Sequence, residues 1–181
     1  MILNVTISEN IQLRDLEVSD ATELSKFIVK NEKHFARFLP QTSAQNMSEA
    51  LSTIYILKKA GEHLEKSQFT FAIVSAEISK ILGLVILKNI DYNKKQGEIA
   101  YGLDEDQQGK GLTSASVRAM IDFAFEDLQL KTLEIITHKT NKGSVGVALN
   151  NDFEWTKTLF KEFTPQGETP LNMELYILKN E

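Results

Sequence analysis

Residues 98–118, EIAYGLDEDQQGKGLTSASVR, decide how this chain folds. The first six residues read as a strand, an acidic turn follows, and Gln108-Gly109-Lys110-Gly111-Leu112-Thr113 opens a helix. Two glycines at a strand-to-helix junction let the backbone come close to a ligand. The free N–H groups of a helix start, helped by the helix dipole, suit a phosphate. The same glycines also fit an ordinary turn, because short glycine patterns are weakly specific. The spacing is neither the P-loop, which needs four residues between its first glycine and Gly-Lys, nor the G-x-G-x-x-G dinucleotide fingerprint.

Working outward, residues 69–76, 81–90 and 98–103 are strand-like runs separated by polar turns at 77–80 and 91–97. Short turns between successive strands imply an antiparallel meander. Upstream, 11–16 alternates as a strand. Asp20 with Glu23, and Asn46 with Glu49, look like capping-box helix starts. Leu24, Phe27 and Ile28 mark the face of the first helix, and Leu51, Ile54, Tyr55 and Lys58 that of the second. Downstream, Val117, Ile121, Ala124 and Leu128 recur at helical spacing. A strand at 133–137, a short helix at 144–151 and two closing strands, the last at 171–178, follow. This order predicts an α/β (α+β) chain with one mixed, predominantly antiparallel twisted sheet and helices on both faces.

The chain has 181 residues, which favours a single domain over 1–181. With no cysteine, disulfides, thiolate metal sites and a cysteine nucleophile are excluded. Twenty basic and 25 acidic residues leave a charge of −5. Such a surface disfavours nucleic acid and anionic membrane and attracts cationic partners such as amines. No apolar run is long enough to span a bilayer. The first ten residues lack the basic-then-apolar pattern of a leader, so a cytoplasmic location is expected. His34, His63 and His138 lack metal-ligand spacing, and no metal is expected.

Several motifs together resemble the GNAT superfamily of N-acetyltransferases, on its RimJ/RimL-like branch. Gln108 and Gly111 take the first and fourth places of that family's pyrophosphate loop, [QR]-x-x-G-x-[GA], with Thr113 at the sixth. Asn141 and Ser144, followed by Asp152-Phe153, are similar to its N-x-x-S … G-F motif, Asp152 replacing the glycine. Residues 97–103, GEIAYGL, are similar to the family's A-E-I-G-Y-W-L strand, and 172–176 to its closing D-x-x-x-Y strand. Residues 31–40, NEKHFARFLP, resemble N-R-x-H-L-x-x-W-L-P, with Phe38 in place of the tryptophan.

The resemblance implies acetyl-CoA as co-substrate and direct attack by a primary amine on the thioester. The cofactor is expected against Gln108, Gly109, Lys110, Gly111, Leu112, Thr113 and Ser114, with Asn141 and Ser144 alongside, and Lys139 and Lys142 flank it. A strand N–H near Leu103 is expected to polarise the carbonyl. Glu98 and Glu162 are the candidate bases and Ser144 the candidate acid, although a serine there also reads as a helix cap. His34, Phe38 and Tyr176 are expected at the acceptor, Tyr176 as core or pocket lining. The implied acceptor is a protein N-terminal α-amine, such as that of a ribosomal protein. The alternatives are a small amine (polyamine, amino acid or antibiotic) or an acyl-CoA-binding module without turnover. Relatives are monomers or homodimers, and the sequence does not choose between them.

Overall fold

The computed structural model describes residues 4–180. Met1–Leu3, part of the stretch read for a leader, and Glu181 lie outside the described residues. Eight strands form one sheet in the order β1-β2-β3-β4-β5-β6-β8-β7. In chain order they are β1 (Asn4–Ser8), β2 (Ile11–Asp15), β3 (Phe69–Ser75), β4 (Lys80–Asp91), β5 (Gln96–Leu103), β6 (Thr132–Thr137), β7 (Glu154–Phe163) and β8 (Leu171–Lys179). Every neighbouring pair is antiparallel except β5 and β6. A parallel pair needs a crossover, here supplied by a helix between the two strands.

The helices are α1 (Ala21–Lys30), α2 (Glu32–Phe35), α3 (Pro40–Ala44), α4 (Glu49–Leu64), α5 (Leu112–Asp122) and α6 (Lys142–Asn150). On one face of the sheet, Leu24, Phe27 and Ile28 of α1 and Tyr55 and Ile56 of α4 pack on Ala72, Val74 and Leu84. On the other, Val117, Met120 and Ile121 of α5 and Ala148 of α6 pack on Phe71, Val85, Ile99 and Ile135. Both cores are apolar and closed, the arrangement expected when a twisted sheet is covered on two sides.

Local chemistry departs from the sequence reading at several points. The residue capping α4 is Ser48, whose Oγ accepts from Leu51 N–H at 3.3 Å. Asn46 is instead buried and accepts from Ser52 Oγ at 2.9 Å, which turns Ser52, Tyr55 and Ile56 inward. Leu51, Ile54 and Lys58 therefore face solvent, and only Tyr55 of the expected stripe is in the core. Asp20 precedes α1 but does not cap it. It is buried and forms a two-point ion pair with Arg14, at 2.7 and 2.8 Å. The run at 123–127 closes α5 with a π-helical turn. Asp152 has φ +64°, a left-handed conformation suited to glycine that aspartate tolerates.

Candidate active site

The site exists because β5 and β6 pair over only three residues each. Gln96, Gly97 and Glu98 oppose Thr132, Leu133 and Glu134, and beyond them the strands diverge into a cleft. Asp104 N–H donates to Leu82 O at 2.7 Å on the β4 side. Alternation then turns the N–H groups of Leu103 and Tyr101 away from β4, toward the open side. The cleft has continuous lobes that share Phe38 and Leu39.

The first lobe, about 510 Å³, lies against the start of α5 and the start of α6. Leu103, Gln108, Gly109, Gly111, Leu112, Thr113, Ser114, Asn141 and Ser144 all line it. Gly109 and Gly111 both have φ +75°, and a Cβ on either would meet open space. These glycines turn the chain sharply enough to point the first N–H groups of α5 into the lobe. The lining includes no Asp or Glu, while Lys142 adds a cation. Fixed N–H groups, a cation and no competing carboxylate fit a diphosphate. Lys110 is not in the lining, and its Nζ donates to Gln107 Oε1 at 2.9 Å.

The loop is held from behind. Asp104, fully buried, accepts from Lys30 Nζ at 2.7 and 2.9 Å and caps the turn at Glu105–Gln107 through Asp106 N–H. Asn31 Oδ1 accepts from Glu105 N–H at 3.1 Å, tying the loop to the end of α1. His34 lines this lobe rather than the next, with Nε2 3.3 Å from Gln108 Nε2.

The second lobe, about 300 Å³, is lined by Glu98, Tyr101, Ser144, Glu162, Phe38 and Lys88, among others. Glu98 is engaged by Lys88 Nζ at 3.0 Å and by Asn89 Nδ2 at 2.7 Å. Opposite it, burial and the neighbouring Glu98 hold the Glu134 carboxyl above the ordinary glutamate range. Glu162 reaches the rim from a bulge in β7. The register jumps from Leu159–Met173 to Phe163–Leu171, Lys161 has φ +55°, and its N–H donates to Asn172 Oδ1 at 3.0 Å. No ion pair or hydrogen bond engages the Glu162 side chain among the described residues. Phe38 stacks on Phe163 at 6.2 Å, and Arg37 pairs with Glu168 at 2.8 Å, so the chain before α3 is tied to the β7–β8 turn.

Where the lobes meet, Tyr101 hydroxyl lies 2.8 Å from Ser144 Oγ and donates to Ser144 O at 3.1 Å. Burial pushes the phenol up to about 12, the bond to Ser144 pulling the other way. The serine is therefore not the helix cap. Asn141 caps α6, accepting Ser144 N–H on Oδ1 at 3.1 Å, which frees the Ser144 hydroxyl to face Tyr101. Tyr176 lines neither lobe, being packed in the core beside Ile135. Tyr101 and Lys88 were not singled out from the sequence. Tyr101 stands two residues from Ile99 on the same strand face, so alternation could have pointed to it. Lys88 gave no signal, since its partner Glu98 is ten residues on across a hairpin. No cluster of three or more His, Asp or Glu suited to a metal occurs among the described residues.

Residues 10–154 match the family model described as an acetyltransferase (GNAT) domain. The N-acetyltransferase YjcK of Bacillus subtilis (strain 168), named as probable, is 30% identical over 141 residues, covering 77% of each chain. Among solved structures, the ribosomal-protein-S5-alanine acetyltransferase of Vibrio fischeri superposes with a TM-score of 0.91 at 24% identity, covering 99% of this chain and 97% of that one. RimL, described as a ribosomal L7/L12 α-N-protein acetyltransferase in complex with coenzyme A, superposes with a TM-score of 0.86 at 20% identity over 97% of both chains.

Proposed function

The chain belongs to the GNAT acetyltransferase family, and from that premise we propose that it moves the acetyl group of acetyl-CoA to a primary amine, of the kind found at a protein N-terminus. One observation carries this reading. A lobe suited to a diphosphate opens, past the Tyr101–Ser144 pair, into a lobe holding two carboxylates. The coenzyme A held by the RimL structure and the substrates named for both solved relatives support the co-substrate and the acceptor class.

In this reading the first turn of α5 and Lys142 bind the diphosphate. The Leu103 and Tyr101 N–H groups on the unpaired edge of β5 are positioned to stabilise charge developing on the thioester oxygen. Glu98, already engaged by Lys88 and Asn89, sets the local field, and Glu162, unengaged, accepts the amine proton directly or through water. An α-amine has a pKa near ~8 and a lysine amine near ~10.4, so a carboxylate base serves the former far more readily. Burial pushes the Tyr101 phenol up to about 12, above the range of a thiol, so the phenol keeps its proton beside a leaving thiolate. Tyr101 therefore holds the thiolate by hydrogen-bond donation, its proton turning from Ser144 O to the sulfur while the Ser144 hydroxyl donates to the Tyr101 oxygen, and the second proton lost by the attacking nitrogen goes to the thiolate or to solvent. The cytoplasm is the compartment that supplies such a co-substrate and acceptor.

The test is thermal stability with acetyl-CoA, free CoA and ATP in parallel. A ligand at 100 times its Kd adds about 2.7 kcal/mol, so a rise of several degrees with acetyl-CoA and CoA but not ATP is expected. No shift at millimolar acetyl-CoA would remove the co-substrate and the mechanism with it.

A further inference from the structure

Strand β4 carries one residue too many for its pairing with β5. Lys88 lies opposite Glu98 and Asp91 opposite Gln96, so three steps along β4 match two along β5. The extra residue is taken up at Asn89, which has φ +51°, a left-handed conformation that asparagine tolerates. In a regular strand consecutive side chains face opposite ways. Leu87 packs in the core on the α5 side of the sheet, and an unbulged strand would send Asn89 there too. The bulge instead returns Ile90 to that core and leaves Lys88 and Asn89 both lining the second lobe.

Each of the two takes a different oxygen of one carboxylate. Lys88 Nζ lies 3.0 Å from Glu98 Oε1, and Asn89 Nδ2 donates to Oε2 at 2.7 Å. Only 13% of the Glu98 side chain is exposed. A carboxylate offers about four lone-pair sites, so two donors can fix its plane and still leave sites for a third. A proton on Glu98 would weaken both bonds, whereas an ammonium donating to the remaining lone pairs keeps them. Glu162 lines the same lobe with no ion pair or hydrogen bond to its side chain among the described residues. We infer that Asn89 is a positioning residue: carried by the bulge, it fixes Glu98 as the anion that receives the acceptor's ammonium and stays beside the nitrogen while it is charged, which leaves proton removal to Glu162. The inference rests on the acetyl-transfer reading of the same cleft and divides the work of its two carboxylates.

Asn89→Gly tests it, because glycine takes φ +51° without strain and only the amide is lost. This variant should melt close to the parent. Its KM for the amine acceptor is expected to rise about tenfold, the scale of one hydrogen bond to a charged group, with kcat and the KM for acetyl-CoA little changed. Thiol release gives all three. In a Glu98→Gln background the same change should add almost nothing, since Asn89 acts through Glu98, whereas a purely architectural role would give additive losses. Glu162→Gln should instead lower kcat. An unchanged acceptor KM in Asn89→Gly, additive losses in the double variant, or a Glu98→Gln defect that falls on kcat rather than KM each overturn the inference. Calorimetric titration of a short peptide with a free α-amine, set against its N-acetylated form in the presence of CoA, reads the anchor without turnover. The free amine should bind more tightly, by a margin that Asn89→Gly reduces about tenfold. Equal binding of the two forms also overturns the anchor. A preference that depends on Asn89, with no acetylation of any acceptor, would sink the transferase reading and leave the anchor standing.

Discussion

Tyr101 is the residue on which the proposed chemistry turns. Replacing it by phenylalanine keeps the ring in its buried place and removes the hydroxyl that meets Ser144. Tyr101→Phe is expected to lower kcat by about 10- to 100-fold with little change in KM for acetyl-CoA, read by steady-state thiol release. An unchanged kcat would leave thiolate stabilisation to Ser144 or to water. The residues around it show how far single positions were legible. Gly109 and Gly111, read as a close backbone approach at a helix start, and Gln108 and Asn141, expected beside the cofactor from the family resemblance, all line the first lobe. Lys110 does not, and Tyr176, expected at the acceptor as core or pocket lining, is core, because where a side chain points is set by its neighbours. Gln107 takes the lysine, and the register of β6 with β8 turns Tyr176 into the core. Ser144 was expected at the site with the helix cap as its competing role. That role passes to Asn141, three residues earlier.

At the scale of elements, the junction of β5 and α5 is the most constrained piece. Gly111 caps α5 at φ +75° with nothing within 4 Å of an added Cβ. A side chain there costs roughly 1–2 kcal/mol of backbone strain. Gly111→Ala should therefore lower stability modestly, and it should weaken acetyl-CoA binding by at least tenfold because the new methyl projects into the lobe. Calorimetric melting and titration together separate the two effects. An unaltered affinity would place the diphosphate elsewhere. Most elements were readable from pattern: α1 and α5 each bury one clear face, and the three-strand meander, with β3 and most of β4 buried on both faces, reads as apolar runs between polar turns. The helix α4 misled because it is apolar on two sides. Leu51, Ile54 and Leu57 are exposed, and it is the buried Asn46–Ser52 bond that sets its rotation. The strand β1 and the short helices α2 and α3 were missed. Each has only four or five residues, too few for a period to repeat.

For the whole molecule, the buried phenols set an alkaline limit. Burial pushes the Tyr101 phenol up to about 12 and raises that of Tyr55 as well. In the unfolded chain both ionise near ~10. Above that pH the unfolded state releases protons that the folded state retains, so stability is full below ~10 and falls as the pH climbs toward 12. A melting series from pH 8 to 11.5 should show this decline, and it should be shallower in Tyr101→Phe. A flat profile would mean that these hydroxyls are more hydrated than their surroundings imply. The architecture was legible as a class because the strand meander and the glycine junction are local signals. The cleft was not, since it arises from two strands that part after three residue pairs, far apart in sequence. One feature of the sheet's rim also bears on how copies of the chain behave together. Its outermost strand, β7, exposes Trp155 and Phe160, the kind of edge on which another chain's strand can add and seed fibrils. The same bulge that brings Glu162 to the cleft, with a second between Trp155 and Lys157, interrupts that edge twice and sets lysines along it. An irregularity suited to placing a carboxylate thus also blunts a template for aggregation, and straightening β7 would forfeit both.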